Sequence, residues 1–321
     1  MDGNGQIVAI GGGTGLSTML RGLKRYTDQI TAIVTVADDG GGSGVLREDL
    51  RMLPPGDIRN CAIALSNAEP TMEALLNYRF SEGGLSGQSF GNLFLAALNG
   101  VTGSFYQAVR YMSEVLAITG KVLPVTVEDI RLEAEFENGV CVLGESKIFQ
   151  AKKEQESPIR RVRLIPEHPP ALQESLDAIE KADLLILGPG SLYTSILPNL
   201  LVDGVVDAIT RSNAKKVYVC NVMTQEGETE GYTAFDHVQA LFDHAGVKLF
   251  DCCLVNSTPV SQALLDKYRV EDACETVVDQ ERFERAGVRL YRYPLIEENQ
   301  DFARHDPDLL ARAILQLLQE R

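Results

Sequence analysis

The sequence lacks the features that would export a chain, staple it or draw it to a polyanion. Its six cysteines, Cys61, Cys141, Cys220, Cys252, Cys253 and Cys274, form no CxxC pair and no metal-ligand spacing, so neither a disulfide framework nor a zinc site is indicated. Three of them sit inside apolar runs and read as reduced core residues, the usual state in the cytoplasm. Cys252 and Cys253 are adjacent in a predicted strand and point to opposite faces, which argues for packing over a redox pair. No window approaches the ~20 apolar residues of a membrane span, and the amino-terminal stretch has no basic region of the signal-peptide kind. A cytoplasmic chain without membrane insertion is therefore expected. Basic residues are few: 30 Lys and Arg stand against 45 Asp and Glu, a formal net charge of -15. That charge opposes nonspecific attraction to nucleic acid or anionic lipid, so no nucleic-acid partner is expected. An anionic ligand must be held by local donors such as backbone N–H groups, helix N-termini and a few placed arginines.

Several motifs are missing as well. There is no GxxxxGK[ST] and no GxGxxG, so the usual P-loop and dinucleotide fingerprints are not met, and no Gly-x-Ser-x-Gly elbow supports a serine nucleophile. No repeat of fixed period and no low-complexity tail appears.

What is present is an alternation of apolar runs and helical patterns. Ile7–Ile10, Ile30–Val36, Ala182–Leu187, Lys216–Val222, Phe250–Val255 and Val288–Leu295 read as strands. Ser17–Tyr26, Met72–Tyr78, Gly91–Leu98, Leu172–Ala182, Leu200–Ser212, Tyr232–Ala245 and Leu309–Gln319 read as helices. Continuous apolar strands alternating with helices predict a Rossmann-like α/β fold, doubly wound, with a mostly parallel sheet covered on both faces. Residues 121–171 change texture: Val125, Ile130, Leu132, Ala134 and Phe136 alternate with polar residues, Glu137-Asn-Gly139 makes a turn, and Val140–Phe149 answers. This predicts an antiparallel ribbon inserted into a single domain spanning 1–321.

A parallel sheet binds ligands beyond the carboxyl ends of its strands, and Gly-rich loops stand there. Gly11-Gly-Gly-Thr-Gly15 follows the first strand, where positive φ and close backbone approach suit a phosphate at a helix start; a plain structural turn is the competing reading. Asp38 and Asp39 precede Gly40-Gly-Gly-Ser-Gly44. They fit a ribose hydroxyl, a divalent cation or an attacking hydroxyl, or a helix cap, and the glycines favour the second of these. Gly188-Pro-Gly-Ser191 leads into Leu192-Tyr-Thr-Ser195, whose hydroxyls can cap or touch phosphate. Pro54-Pro-Gly-Asp57 reads as a turn with Asp57 as N-cap; Arg59, Asn60 and Asn92 are ligand groups or structural. Asp306 reads as a cap before Pro307, with Arg304 as a phosphate clamp. His237 and His244, seven apart on a helix, lie about two turns from each other and cannot share one metal ion.

Taken together, Ile10-Gly-Gly-Gly-Thr-Gly-Leu16, Val36-Ala-Asp-Asp-Gly40, Leu53-Pro-Pro-Gly-Asp-Ile-Arg-Asn60, Leu187-Gly-Pro-Gly-Ser-Leu-Tyr-Thr-Ser195 and Val219-Cys-Asn-Val-Met-Thr-Gln225 resemble the gluconeogenesis factor family, relatives of the 2-phospho-L-lactate transferases. For the transferases the resemblance implies a metal-dependent attack of a deazaflavin ribityl hydroxyl on a lactyl-diphospho-guanosine, with GMP leaving. For the gluconeogenesis factors it implies binding of a UDP-sugar, UDP-N-acetylglucosamine or UDP-glucose, and control of cell shape and peptidoglycan synthesis during gluconeogenic growth. The Met223-Thr-Gln225 and Arg304-His-Asp306 segments resemble the second branch. Carried over, Gly12, Gly13, Thr14 and Gly15 would hold phosphate opposite Gly190, Ser191 and Thr194. Asn221 would sit at the nucleotide, Tyr268 and Arg304 would complete the UDP-sugar site, and Asp39 would be the metal or acceptor residue of the transferase. No cofactor is certain, and Mg2+ is compatible with the acidic loop. Two positions depart from the family pattern: Gly42 replaces an expected Ser, and Gln88 an expected His, a lost proton carrier. The expected protein is a regulatory UDP-sugar binder with wall-synthesis partners, as a homodimer. A phosphotransferase acting on a nucleotide diphosphate is the alternative, and an NAD(P)-dependent oxidoreductase comes third.

Overall fold

The computed structural model describes residues 5–270, 272–296 and 302–320, apart from the side chain of Lys153. Residues 1–4, part of the amino-terminal stretch read above, lie outside them. Seven strands form one sheet: Ile7–Gly11 (β1), Ile30–Val34 (β2), Lys121–Pro124 (β3), Leu184–Leu187 (β7), Lys215–Val219 (β8), Cys252–Asn256 (β9) and Arg289–Tyr293 (β10). Their order is β10-β9-β8-β7-β1-β2-β3, and every pairing is parallel. β1, β2 and β7 are buried along their whole length. Helices therefore cover both faces, as parallel sheets require.

The order of the strands fixes where a ligand can sit. The chain begins at β1, winds outward through β2 and β3, then returns to β7 on the other flank of β1 and winds outward again. The loops after β1 and β7 consequently diverge to opposite faces and leave a crevice between them, the switch point at which open α/β sheets bind ligands. The helix Gly13–Leu23 (α1) starts in that crevice and packs against the last helix, Pro307–Gln319, so tightly that a Cβ on Gly22 would lie 1.8 Å from the Pro307 carbonyl oxygen. Asp306 caps that last helix, its carboxylate accepting from the Asp308 and Leu309 amides.

The 121–171 region departs from a simple ribbon. Residues 121–124 are β3, paired with β2 in the main sheet. Beyond them Arg131–Phe136 (β4), Cys141–Leu143 (β5) and Ile159–Ile165 (β6) make a separate antiparallel sheet in the order β5-β4-β6. The limb expected over Val140–Phe149 stops at Leu143: Gly144 takes φ 114°, Asp39 accepts the Ser146 amide at 2.8 Å, and the Glu/Lys/Gln-rich stretch Glu145–Gln155 coils into a helix, as those residues prefer. β4 keeps the expected alternation, with Leu132, Ala134 and Phe136 inward. His244 joins this sheet to the Ala234–Ala245 helix by accepting the Val162 amide at 3.0 Å. No described helix is long and apolar enough to cross a membrane.

Candidate functional site

The first wall of the crevice is the loop after β1. Gly12 is extended and Gly13 sits at φ 65°, a left-handed conformation that glycine adopts without strain. The turn aims the first amides of α1, which have no partners within the helix, into the crevice. No side chain at Gly12 caps them. Close approach also demands glycine: a Cβ on Gly15 would lie 2.6 Å from the Pro189 carbonyl oxygen, and one on Gly12 2.5 Å from Asp57 Oδ2.

The second wall is the loop after β7. Asn221, just past β8, brackets the Gly190 residue, its Nδ2 donating to the carbonyl at 2.8 Å and its Oδ1 accepting the amide at 3.2 Å. Ser191 Oγ donates to Gln225 Oε1 at 2.7 Å. The following turn, Leu192–Ile196, is a π-helix held by a buried carboxylate: Glu228 accepts the Tyr193 amide at 3.0 Å and the Thr194 hydroxyl at 2.7 Å. Thr194 is thus committed to Glu228, not turned outward.

Between the walls lies a cavity of about 370 Å3 lined by Gly13, Thr14, Gly15, Gly190, Ser191, Asn221, Gln225, Tyr268, Arg304 and His305 among others. Burial pushes His305 down to about 4, so it is neutral at physiological pH. A second chamber of about 340 Å3 shares the Gly13, Thr14, Ser191, Ser195 and Gln225 wall and continues to Asp38, Asp57, Glu145, Phe149, Thr194 and Glu228. Its carboxyls are perturbed. Burial, then the charge of Asp38, raises Asp57 to about 7, while the Gly13 amide that donates to it pulls the other way. Burial, then Asp38, raises Glu145 to about 8. Burial also raises Asp38 and Glu228.

The sequence-based candidates divide accordingly. Gly13, Thr14, Gly15, Gly190, Ser191, Asn221, Tyr268 and Arg304 meet around the first cavity, and Gly12 is buried behind it. Of the acidic pair, Asp38 faces the second chamber, whereas Asp39 anchors the Glu145–Gln155 helix through Ser146. Among the described residues no three His, Cys, Asp or Glu side chains are placed to hold a metal ion. A magnesium ion here would rest on one or two carboxylates and the phosphates it accompanies, which is its ordinary habit. Asp57 is not the N-cap: Pro55 is, and the Asp57 carboxyl crosses to the β1 loop instead. Arg59 is buried and donates to Asn92 at 2.9 Å and to Asn60 at 2.5 Å, a structural cluster; Ser89 caps the helix that carries Asn92. The two departures from the family pattern are neighbours, since a Cβ on Gly42 would lie 2.8 Å from Gln88 Oε1. Sequence reasoning missed Glu145, Glu228 and His305 as wall residues; only the position of the 223–229 loop after a strand signalled Glu228.

A family model described as 2-phospho-L-lactate transferase CofD matches residues 7–296. The chain is 50% identical over 311 residues to a gluconeogenesis factor of Halalkalibacterium halodurans, covering 97% of this chain and 95% of that one. It is 49% identical over 316 residues to the gluconeogenesis factor of Bacillus subtilis, covering 98% of each. The crystal structure of a upf0052-family protein from Bacillus halodurans superposes with a TM-score of 0.92 at 50% identity, over 96% of this chain and 99% of that one.

Proposed function

Because the chain belongs to the gluconeogenesis factor (UPF0052) family, with the CofD-type domain, we propose that it is a regulatory protein that binds a UDP-sugar, UDP-N-acetylglucosamine or UDP-glucose. In this reading the bound state is passed to wall-synthesis proteins that set cell shape during gluconeogenic growth, from a cytoplasmic homodimer. The observation that carries it is the switch-point cavity of about 370 Å3, lined by two glycine loops, by Asn221 clamped to Gly190, and by Tyr268 and Arg304. Amides at a helix start suit a diphosphate, the aromatic ring and the amide side chain suit a base, and Arg304 suits a phosphate oxygen or ribose.

Calorimetric titration with UDP-N-acetylglucosamine, with and without magnesium, tests this on the wild type and Arg304→Ala. Saturable binding, weakened by about 1.5–3 kcal/mol in the variant as for a charged hydrogen bond, with the ligand recovered intact, is expected. Absence of binding refutes the ligand assignment.

One observation favours a second reading, a phosphotransferase: Asp57 at about 7 and Glu145 at about 8 stand beside the phosphate loops, in the range suited to a general base for an acceptor hydroxyl. Nucleotide released during the titration decides for it.

A further inference from the structure

We propose that the acidic chamber is the seat of the sugar: it receives a neutral pyranose carried on the second phosphate of a nucleoside diphosphate. The inference rests on the UDP-sugar reading above and adds where the sugar lies and which sugars are refused.

Continuity of the two cavities gives the direction. Gly13, Thr14, Ser191, Ser195 and Gln225 line both, so a diphosphate against the α1 amides lies at their common wall. With the nucleoside on the Asn221 and Tyr268 side, whatever follows the second phosphate points toward Asp38, Asp57 and Glu145.

The lining of that chamber selects the chemistry. Its carboxyl groups accept hydrogen bonds, and a pyranose offers several O–H donors on neighbouring carbons; hydroxyl-to-carboxylate bonds are the short, strong kind. With Asp57 near 7 and Glu145 near 8, part of the cluster keeps its protons at neutral pH and can donate to ring and acyl oxygens as well. Phe149, 44% exposed, completes the lining. Its ring is packed so closely on Gly227 that a Cβ there would lie 2.4 Å from it. An aromatic side chain in the lining beside acceptors suits the hydrocarbon part of a sugar ring, which gains by leaving water. A base or an alkyl chain would strand the carboxyls without partners, and a second anion would meet the charge of Asp38, joined by that of Glu145 once it ionises above about 8.

The test is titration of wild type, Phe149→Ala and Glu145→Gln with UDP, UDP-glucose and UDP-glucuronate at fixed magnesium, with thermal melts to verify folding. UDP-glucose is expected to bind at least about tenfold more tightly than UDP, and UDP-glucuronate no better than UDP. Phe149→Ala should collapse the UDP-glucose to UDP ratio toward one, and Glu145→Gln, compared with wild type at about pH 9 where Glu145 is ionised, should narrow the gap between glucose and glucuronate. Equal affinity for all three ligands in the wild type, or ratios that neither variant moves, overturns the sugar assignment while leaving the nucleotide site standing. Failure of UDP itself to bind, with the protein folded, overturns the reading beneath it. Binding of magnesium to the chamber without nucleotide, lost in Glu145→Gln with the sugar preference unchanged, assigns the carboxyls to a cation and also overturns the inference.

Discussion

Asp57 makes the molecule's stability depend on pH in a direction that can be measured. Its carboxyl lies against Gly12 and accepts the Gly13 amide, with Asp38 nearby. Burial and that neighbouring charge raise it from 3.8 to about 7. The folded chain thus binds this proton more tightly than the unfolded chain does, so between those two values it holds more protons. The contribution to stability is complete below about pH 4, falls as pH rises, and is lost above about pH 7. At 1.36 kcal/mol per pH unit the full span is worth about 4 kcal/mol. Asp57 lines the second chamber and shares its titration with Glu145 and Asp38, so about 2 kcal/mol is the expected net effect. Asp57→Asn preserves the oxygen that accepts from Gly13 and removes the ionisation. In urea titrations at pH 5, 7 and 8.5, the variant should already be more stable by somewhat under about 1 kcal/mol at pH 5, and by about 2 kcal/mol at pH 8.5. A shallower slope remains in the variant from Glu145, raised to about 8. Parallel curves for the two proteins, or a variant weaker than wild type at pH 8.5, would refute the assignment of the charged form as the destabilised one.

Other changes test the packing of the crevice. Gly15→Ala places a methyl group 2.6 Å from the Pro189 carbonyl oxygen, forcing the two phosphate loops apart; UDP-sugar affinity should drop at least about tenfold by calorimetry, the scale of a 1–3 kcal/mol overpacking strain. Gly22→Ala puts its methyl 1.8 Å from the Pro307 carbonyl oxygen and should destabilise the fold by about 3 kcal/mol or more in denaturant titrations. Cys141 and Cys274 are exposed, while Cys61, Cys220, Cys252 and Cys253 are buried. A thiol reagent should therefore modify two cysteines quickly in the native protein and all six only after denaturation.

Much of the site is legible in the sequence because the fold ties function to position. In a parallel sheet each strand hands its chain to a loop on one edge, so finding β1 and β7 is enough to find Gly11–Gly15 and Gly188–Ser191, and their glycines announce close backbone approach. What stays hidden is direction across the loops. Nothing local distinguishes Asp38 from Asp39; the helix that claims Asp39 begins more than 100 residues later, at Glu145. Pro54-Pro-Gly-Asp57 carries a convincing cap signal, yet Pro55 takes the cap position and the carboxyl is drawn to the Gly13 amide across the crevice. Glu228 sits in a loop of polar residues, and only the fold shows that it is buried to hold the turn at Tyr193 and Thr194. The 121–171 region shows the same limit: alternation marks β4 correctly, but the pairing of Lys121–Pro124 with β2 is a long-range choice that a local pattern does not encode.

A chain of net charge -15 can hold a diphosphate only if the local field differs from the global one. On the proposed reading the crevice would do this with almost no cationic side chains: among the described residues of its lining, Arg304 is the one Lys or Arg, and burial keeps His305 neutral. Attraction therefore falls to the fixed dipoles of the amides at the α1 terminus, whose reach is short. An anion gains from them only once it is seated, and the surrounding acids discourage any anion that is not. Inorganic phosphate, which can use the amides but neither flanking chamber, is consequently a poor ligand for this geometry. The neutral groups on either side, Asn221 and Tyr268 toward one end and the chamber at Phe149 toward the other, must supply most of the selectivity. On the proposed reading, a binder built this way would respond to the whole nucleotide-linked molecule and largely ignore its charged fragment, as a sensor of one metabolite among many phosphates must.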